Sequence, residues 1–211
     1  MEISDIQRHD SKKMYETYDY WPELAKEHYE KDFSKLEIDD IDHVVFAGMG
    51  GSGTIGDIIS SILSKTNIHV NVVKGYLLPK TVDSNTLVVA TSISGNTDEV
   101  LSILKNSKKS KAKFISFSSD GNLEKVSKEN SIKHIKILQA HSPRASLPSF
   151  LYSILNVLEN VIPIKKNDVL ESISKLEQTQ KLISSSNLNE KNPSLSLANW
   201  IKNIPIIYYP G

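Results

Sequence analysis

Cysteine is absent from all 211 residues, which excludes a disulfide framework, a thiolate metal site and a thiol nucleophile, and fits a reducing compartment. An excess of charge is absent too. Lys plus Arg total 25 against 25 Asp plus Glu, a net charge of zero, so no global field draws in phosphodiester backbones or anionic lipid. Nucleic acid and membrane are therefore not expected partners. No apolar run approaches the roughly 18 residues of a spanning helix, and the acidic start Met1-Glu2-Ile3-Ser4-Asp5 lacks the basic and apolar stretches of a secretion signal. The six His show no H-x₃-H or H-E-x-x-H spacing, so no metal site is expected. With 39% hydrophobic residues the composition predicts a folded cytoplasmic protein with an ordinary core.

What is present changes in pattern along the chain. Residues 1–40 combine many charges with aromatics (Tyr15, Tyr18, Tyr20, Trp21, Tyr29, Phe33), and Trp21, Leu24, Ala25 and His28 fall at helical spacing. They predict a helical lead-in that packs on a main domain. Over residues 41–163, short apolar runs alternate with Gly/Ser/Asn/Thr turns and helical stretches, the pattern of βαβ units building a parallel sheet. Five runs carry strand-forming residues: Val44–Phe46, His69–Val73, Leu87–Ala90, Phe114–Phe117 and Ile132–Ile137. Ile55, Ile58, Ile59, Ile62 and Leu63, and then Val100, Leu101, Ile103 and Leu104, recur at three and four and predict amphipathic helices over the sheet. Leu147 to Val161 predicts another, strongly apolar helix with Pro148 in its first turn, and Pro163 closes the unit.

Residues 164–211 predict a helix from Asp168 to Ser185 with Leu170, Ile173, Leu176 and Leu182 on one face, then a short helix around Leu197–Ile201. Ile204–Tyr209 reads as a new buried strand ending in Pro210-Gly211. A strand that runs into a glycine turn should feed another helix. The chain is thus expected to stop as a second α/β unit starts, leaving apolar surface on Leu147–Val161 and Ile204–Tyr209 for that unit to cover.

Two glycine- and hydroxyl-rich loops follow the first and third predicted strands. Gly48, Gly50 and Gly53 match G-x-G-x-x-G at a strand-to-helix turn, the spacing of a dinucleotide site. That fingerprint also wants a carboxylate at the end of the next strand, where this chain has Val72-Val73-Lys74-Gly75. A plain glycine-rich turn is the simpler alternative. In the second loop, Thr91-Ser92-Ile93-Ser94-Gly95-Asn96-Thr97-Asp98-Glu99, hydroxyls and helix-start amides are neutral donors suited to a phosphate monoester, whereas a P-loop would need Gly-Lys-Ser/Thr. Taken alone, such a run is also an ordinary helix cap. The five lysines of Lys105–Lys113 read as a solvated helix end.

Gly48-Met49-Gly50-Gly51-Ser52-Gly53, Ser92-Ile93-Ser94-Gly95-Asn96-Thr97 and Ser142-Pro143-Arg144-Ala145-Ser146-Leu147-Pro148 together resemble the SIS (sugar isomerase) domain. More narrowly, they resemble the bifunctional phosphoglucose/phosphomannose isomerase family found in many archaea. The resemblance is close over residues 40–163. It implies an α/β fold, a five-stranded parallel sheet in a three-layer αβα sandwich repeated twice, acting as a homodimer without metal or cofactor. It implies that Ser52, Ser92, Ser94 and Thr97 hold the phosphate of a hexose phosphate, that the Gly50-Gly51 backbone approaches the sugar, and that Arg144 is the catalytic residue at the reacting carbons.

The implied reaction interconverts glucose 6-phosphate or mannose 6-phosphate with fructose 6-phosphate through an enediol. The family's glutamate base and ring-opening histidine would fall past residue 211, so this chain alone is expected to be incomplete and inactive. Glu99, on a first helical turn, and Glu124 and Glu159, in solvated stretches, are not candidates for the base. Arg144 draws separate support from composition. Only Arg8 and Arg144 occur among the 25 basic residues, and a chain this biased to lysine retains arginine where a planar fork is needed; a surface ion pair is the plainer reading. Two other functions stay open: a non-catalytic SIS module that binds a sugar phosphate as regulator, and a Rossmann-type NAD(P)-binding protein.

Overall fold

Central strands of a parallel sheet lose water on both faces, so the residues best able to fill them are continuous apolar runs. The computed structural model describes residues 2–202. Its sheet contains β1 (His43–Ala47), β2 (His69–Val73), β3 (Thr86–Thr91), β4 (Lys113–Ser118) and β5 (Lys133–Lys136). They pair in parallel throughout, in the order β2-β1-β3-β4-β5. Every residue of β1 and β3 is buried, while β2 lies at an edge with His69 exposed. The strands coincide with the five expected runs; β5 is one residue shorter at each end, and β1, β3 and β4 add polar residues at their ends, of which His43, Thr86, Lys113 and Ser118 make side-chain hydrogen bonds. Buried His43 lies 2.8 Å from Asn71 Oδ1 and 3.2 Å from Thr86 Oγ1.

Three helices precede the sheet: α1 (Ile3–His9), α2 (Met14–Asp19) and α3 (Trp21–Glu30). Next, α4 (Gly51–Leu63) follows β1, α5 (Asp98–Lys105) follows β3, α6 (Asn122–Glu129) follows β4 and α7 (Leu147–Val157) follows β5. The described chain closes with α8 (Lys166–Ile183) and α9 (Pro193–Ile201). One face of the sheet is covered by α4 and α7, where Ile55, Ile59, Phe150 and Ile154 meet Phe46, Val89 and Phe117. The other face is covered by α5 and α6, through Val100, Leu104, Leu123 and Val126. This is the three-layer αβα sandwich.

Helix α6 has no counterpart among the expected helices. Only Leu123, Val126 and Ser127 of its eight residues are buried, too few apolar positions to stand out from the lysines around them.

The expectation of bare apolar surface on Leu147–Val161 is corrected. Nine of the eleven residues of α7 are buried, because α3 lies across its outer side and places Ala25 and Tyr29 in the same core. Asn156 of α7 fixes the crossing by donating to the carbonyls of Tyr29 and Lys31, and Lys35 Nζ reaches back to Glu159 at 2.6 Å. On α8 the inward stripe is Val169, Ile173 and Leu176, whereas Leu170 and Leu182 are exposed. Val169, Ile173 and Leu176 step by four and three and so stay in one narrow stripe, whereas at about 100° per residue Leu170 lies to its side and Leu182 on the opposite face. The strand expected at Ile204–Tyr209 lies outside the described residues.

Candidate functional site

In the order β2-β1-β3-β4-β5 the chain reverses its direction of winding between β1 and β3, and a doubly wound sheet leaves a crevice at the carboxyl ends of the strands flanking that point. The loops leaving β1 and β3 are the two singled out by composition.

The first loop is closed by backbone crowding. A Cβ on Gly53 would lie 2.9 Å from the Gly48 carbonyl oxygen, and one on Gly48 would lie 2.9 Å from the Ser52 backbone. These two glycines serve the turn itself. Gly50 has φ +52°, a value that L side chains rarely adopt. Gly51 has open space where a side chain would be and faces the cleft. The turn thus brings the start of α4 to the cleft; there the Ser52 and Gly53 N–H groups donate to the Met49 carbonyl and the Thr54 N–H to the Gly50 carbonyl, which leaves the Gly51 N–H as the helix-start amide without an acceptor among the described residues.

In the second loop the hydroxyls divide their work. Ser92 is buried, its Oγ 2.8 Å from Thr97 Oγ1 and accepting the Gly95 N–H at 3.1 Å, so it braces the loop from behind. Ser94 is exposed, and Thr97 occupies the cap position before α5. Ser52 Oγ, on the first turn of α4, accepts the Ile93 N–H at 3.4 Å and so ties the two loops together. Behind Ile93, the Ser119 N–H and hydroxyl both donate to its carbonyl.

A third loop, between β5 and α7, brings Arg144. Its turn is closed internally by Ser146, whose N–H and Oγ donate to the Ser142 carbonyl at 3.1 and 2.8 Å. Arg144 is exposed and, among the described residues, forms no ion pair. Among the described residues, the surface ion pair open to it in the sequence is not formed.

Together the three loops enclose a cleft of about 790 Å³, within the range of small-molecule sites. Gly51, Ser52, Ser94, Thr97 and Arg144 line it, Gly50 stands on the adjoining turn, and Ser92 lies behind its wall. Thr54, Ser142 and Met14 also line it. Thr54 shows a weak sequence signal, a hydroxyl near the start of α4, whereas Met14 shows none because it arrives from a segment remote in sequence. Among the described lining residues Arg144 is the single ionised side chain, and none is a carboxylate or an imidazole. Hydroxyls, helix-start amides and one guanidinium are donors of the kind that suit an anion with polar neighbours. The position where a dinucleotide fold would hold ribose carries Lys74, paired with Asp57 at 2.7 Å.

Residues 37–159 match the SIS domain family. The chain is 34% identical over 203 residues to a bifunctional phosphoglucose/phosphomannose isomerase of Caldicellulosiruptor bescii, covering 92% of this chain and 60% of the relative. It is 35% identical over 147 residues to a protein of the same name from Pyrobaculum calidifontis, covering 68% and 47%. It thus spans about half to three-fifths of the length of these relatives. Among solved structures, the C-terminal domain of glucosamine-fructose-6-phosphate aminotransferase from Francisella tularensis shares the fold with TM-score 0.53 at 18% identity, over 80% of this chain and 53% of that one.

Proposed function

The chain belongs to the SIS domain family, and from that membership we propose that its cleft binds a hexose 6-phosphate for an aldose–ketose isomerase that interconverts glucose 6-phosphate or mannose 6-phosphate with fructose 6-phosphate. The observation that carries the reading is the composition of the cleft wall: two loops of hydroxyls and helix-start amides, faced by one arginine that has no ion-pair partner among the described residues. Phosphate sits among the hydroxyls of Ser52, Ser94 and Thr97, with Ser92 bracing Thr97, and the Gly50-Gly51 backbone takes the near side of the sugar. Arg144 addresses the C1–C2 end. There its fork stabilises the oxygen charge that develops as a proton moves between the two carbons and the enediolate forms.

The proton transfer itself needs a base within hydrogen-bond reach of those carbons, and no described lining residue supplies one. In this proposal the base and the ring-opening acid come from outside residues 1–211, and the working protein is a cytoplasmic homodimer. The same observation favours a second reading, a sugar-phosphate-binding module without catalysis.

Calorimetric titration with fructose 6-phosphate, inorganic phosphate and NAD⁺ tests the ligand class. The proposal expects fructose 6-phosphate to bind more tightly than inorganic phosphate and NAD⁺ not to bind; NAD⁺ as the preferred ligand would overturn it. An isomerase assay on the complete gene product separates the two readings, since only the first predicts turnover.

A further inference from the structure

Three contacts from outside the family match converge on the turn that carries Arg144. Trp21, at the start of α3, donates its indole N–H to the Ala145 carbonyl at 2.9 Å. His141 places Nε2 2.8 Å from the Lys12 carbonyl, and because a carbonyl oxygen only accepts, that nitrogen is the donor. Met14, at the start of α2, lines the cleft and receives the Ser142 hydroxyl on its sulfur at 3.9 Å. The family match begins at residue 37, so Lys12, Met14 and Trp21 all lie before it.

These contacts matter because of how the turn is built. Residues 142–146 belong to neither strand nor α-helix; Ala145 and Ser146 are buried where the turn enters α7, and Ser146 donates to the Ser142 carbonyl and accepts the Ala140 N–H, so the α7 end is fixed while the exposed Arg144 end draws its further contacts from outside the turn. The guanidinium of Arg144 makes no ion pair or hydrogen bond among the described residues, so its position follows from the backbone that carries it. That backbone is held on one side through Ala145 by Trp21 and on the other through His141 by Lys12.

We propose that the N-terminal arm, residues 12–21, is a wall of this site, with Trp21 as the positioning residue that sets the Arg144 turn against the hydroxyl loops and Met14 as the apolar surface facing the ligand. The inference rests on reading the cleft as a hexose phosphate site. Its physical content is pre-organisation. A turn already held in the binding geometry gives up less freedom when ligand arrives, and a turn that samples other positions weakens apparent affinity in proportion to the time spent there.

The test measures binding of two probes, fructose 6-phosphate and inorganic phosphate, by calorimetry on the 211-residue chain. Trp21→Phe keeps an aromatic ring against Tyr18, whose centroid lies 4.9 Å away, and removes only the N–H donor and part of the indole. It is expected to weaken fructose 6-phosphate about three- to tenfold, the equivalent of one hydrogen bond, and to leave inorganic phosphate unchanged. In an Arg144→Ala background, Trp21→Phe should have no further effect, because the group it positions is gone. His141→Ala, at an exposed site, should act in the same direction and serves if the Trp21 variant does not fold.

Equal weakening of both probes, or the same loss with and without Arg144, would show a general packing role and overturn the inference alone. So would normal fructose 6-phosphate binding by both variants. Failure of the unsubstituted chain to bind either probe would instead overturn the functional reading, and this inference with it.

Discussion

Gly95 has φ +70°, and a Cβ there would lie 1.6 Å from the Asp120 carbonyl oxygen. The obstacle is backbone, which cannot rotate away as a side chain can. Gly95→Ala must therefore separate the loop after β3 from the loop after β4, at a cost of about 2–4 kcal/mol from overpacking and left-handed strain combined. For a chain of this size that is a fall in Tm of roughly 5–15 °C. Thermal denaturation checks it, and an unchanged Tm would mean that the two loops are not locked together.

Ser94 predicts the opposite combination. It is exposed and braces nothing beyond a 3.4 Å contact with the Asn96 N–H, so Ser94→Ala should leave Tm within a degree or two. It should weaken fructose 6-phosphate binding by about 0.5–3 kcal/mol, because a donor to a charged group is lost. Calorimetry at constant pH reads the difference, and affinity equal to the parent's would remove Ser94 from the phosphate site. This division between buried Ser92 and exposed Ser94 was not legible in the sequence. Both are serines two apart in one loop, and only the turn at Gly95 decides which hydroxyl is folded inward.

At the scale of elements, packing lowers the pKa of two imidazoles. His28 of α3 is buried against α7, with Nδ1 3.0 Å from Ser153 Oγ, and its pKa is pushed below the ordinary value chiefly by burial and secondarily by Lys31. His134 of β5 lies between Ser116 Oγ at 2.8 Å and Ser118 Oγ at 3.3 Å, and burial depresses it too. Because the unfolded chain takes up these protons more readily than the folded one, stability is greatest above the normal imidazole pKa of about 6.5 and falls as the pH drops through and below it. Denaturant midpoints measured from pH 7.5 to 5.5 should decline. His28→Gln, which cannot titrate, should flatten the curve even if it lowers stability throughout; an identical slope would show that His28 is not the source.

Element identity was largely legible, since continuous apolar runs suit strands buried on both faces and three-and-four spacing suits helices on one. What escaped was α6, where lysines surround the few residues that pack, and the outer side of α7. The eleven residues of α7 are almost uniformly apolar or small, so their composition says that the helix is covered. It cannot say by what, because α3 lies more than a hundred residues earlier in the chain.

At the scale of the whole molecule, the described wall of the cleft carries no carboxylate and no imidazole. It carries hydroxyls and one guanidinium, whereas the proposed aldose–ketose exchange needs a base placed to within about an ångström of its working position. A coupled assay of the 211-residue chain should accordingly show binding without turnover. A rate above ~1 s⁻¹, the lower end of ordinary enzymes, would mean that the base lies within these residues. The N-terminal lead-in changes the molecule's outline more than its composition foretold. Its aromatic residues were legible as a helix that packs, but their reach to the Arg144 turn depends on the crossing of α3 over α7, a contact with no local signature.

The claim on which all of this depends is that one cleft holds phosphate at the hydroxyl loops and carbonyl carbons at Arg144. A crystal structure of the chain with fructose 6-phosphate addresses it directly. The phosphate oxygens should lie within hydrogen-bond distance of the Ser94 and Thr97 hydroxyls and the first amides of α4 or α5, with C1 and C2 directed at the Arg144 guanidinium. Phosphate bound outside the three loops, or a sugar whose C1–C2 end points away from Arg144, would contradict the account.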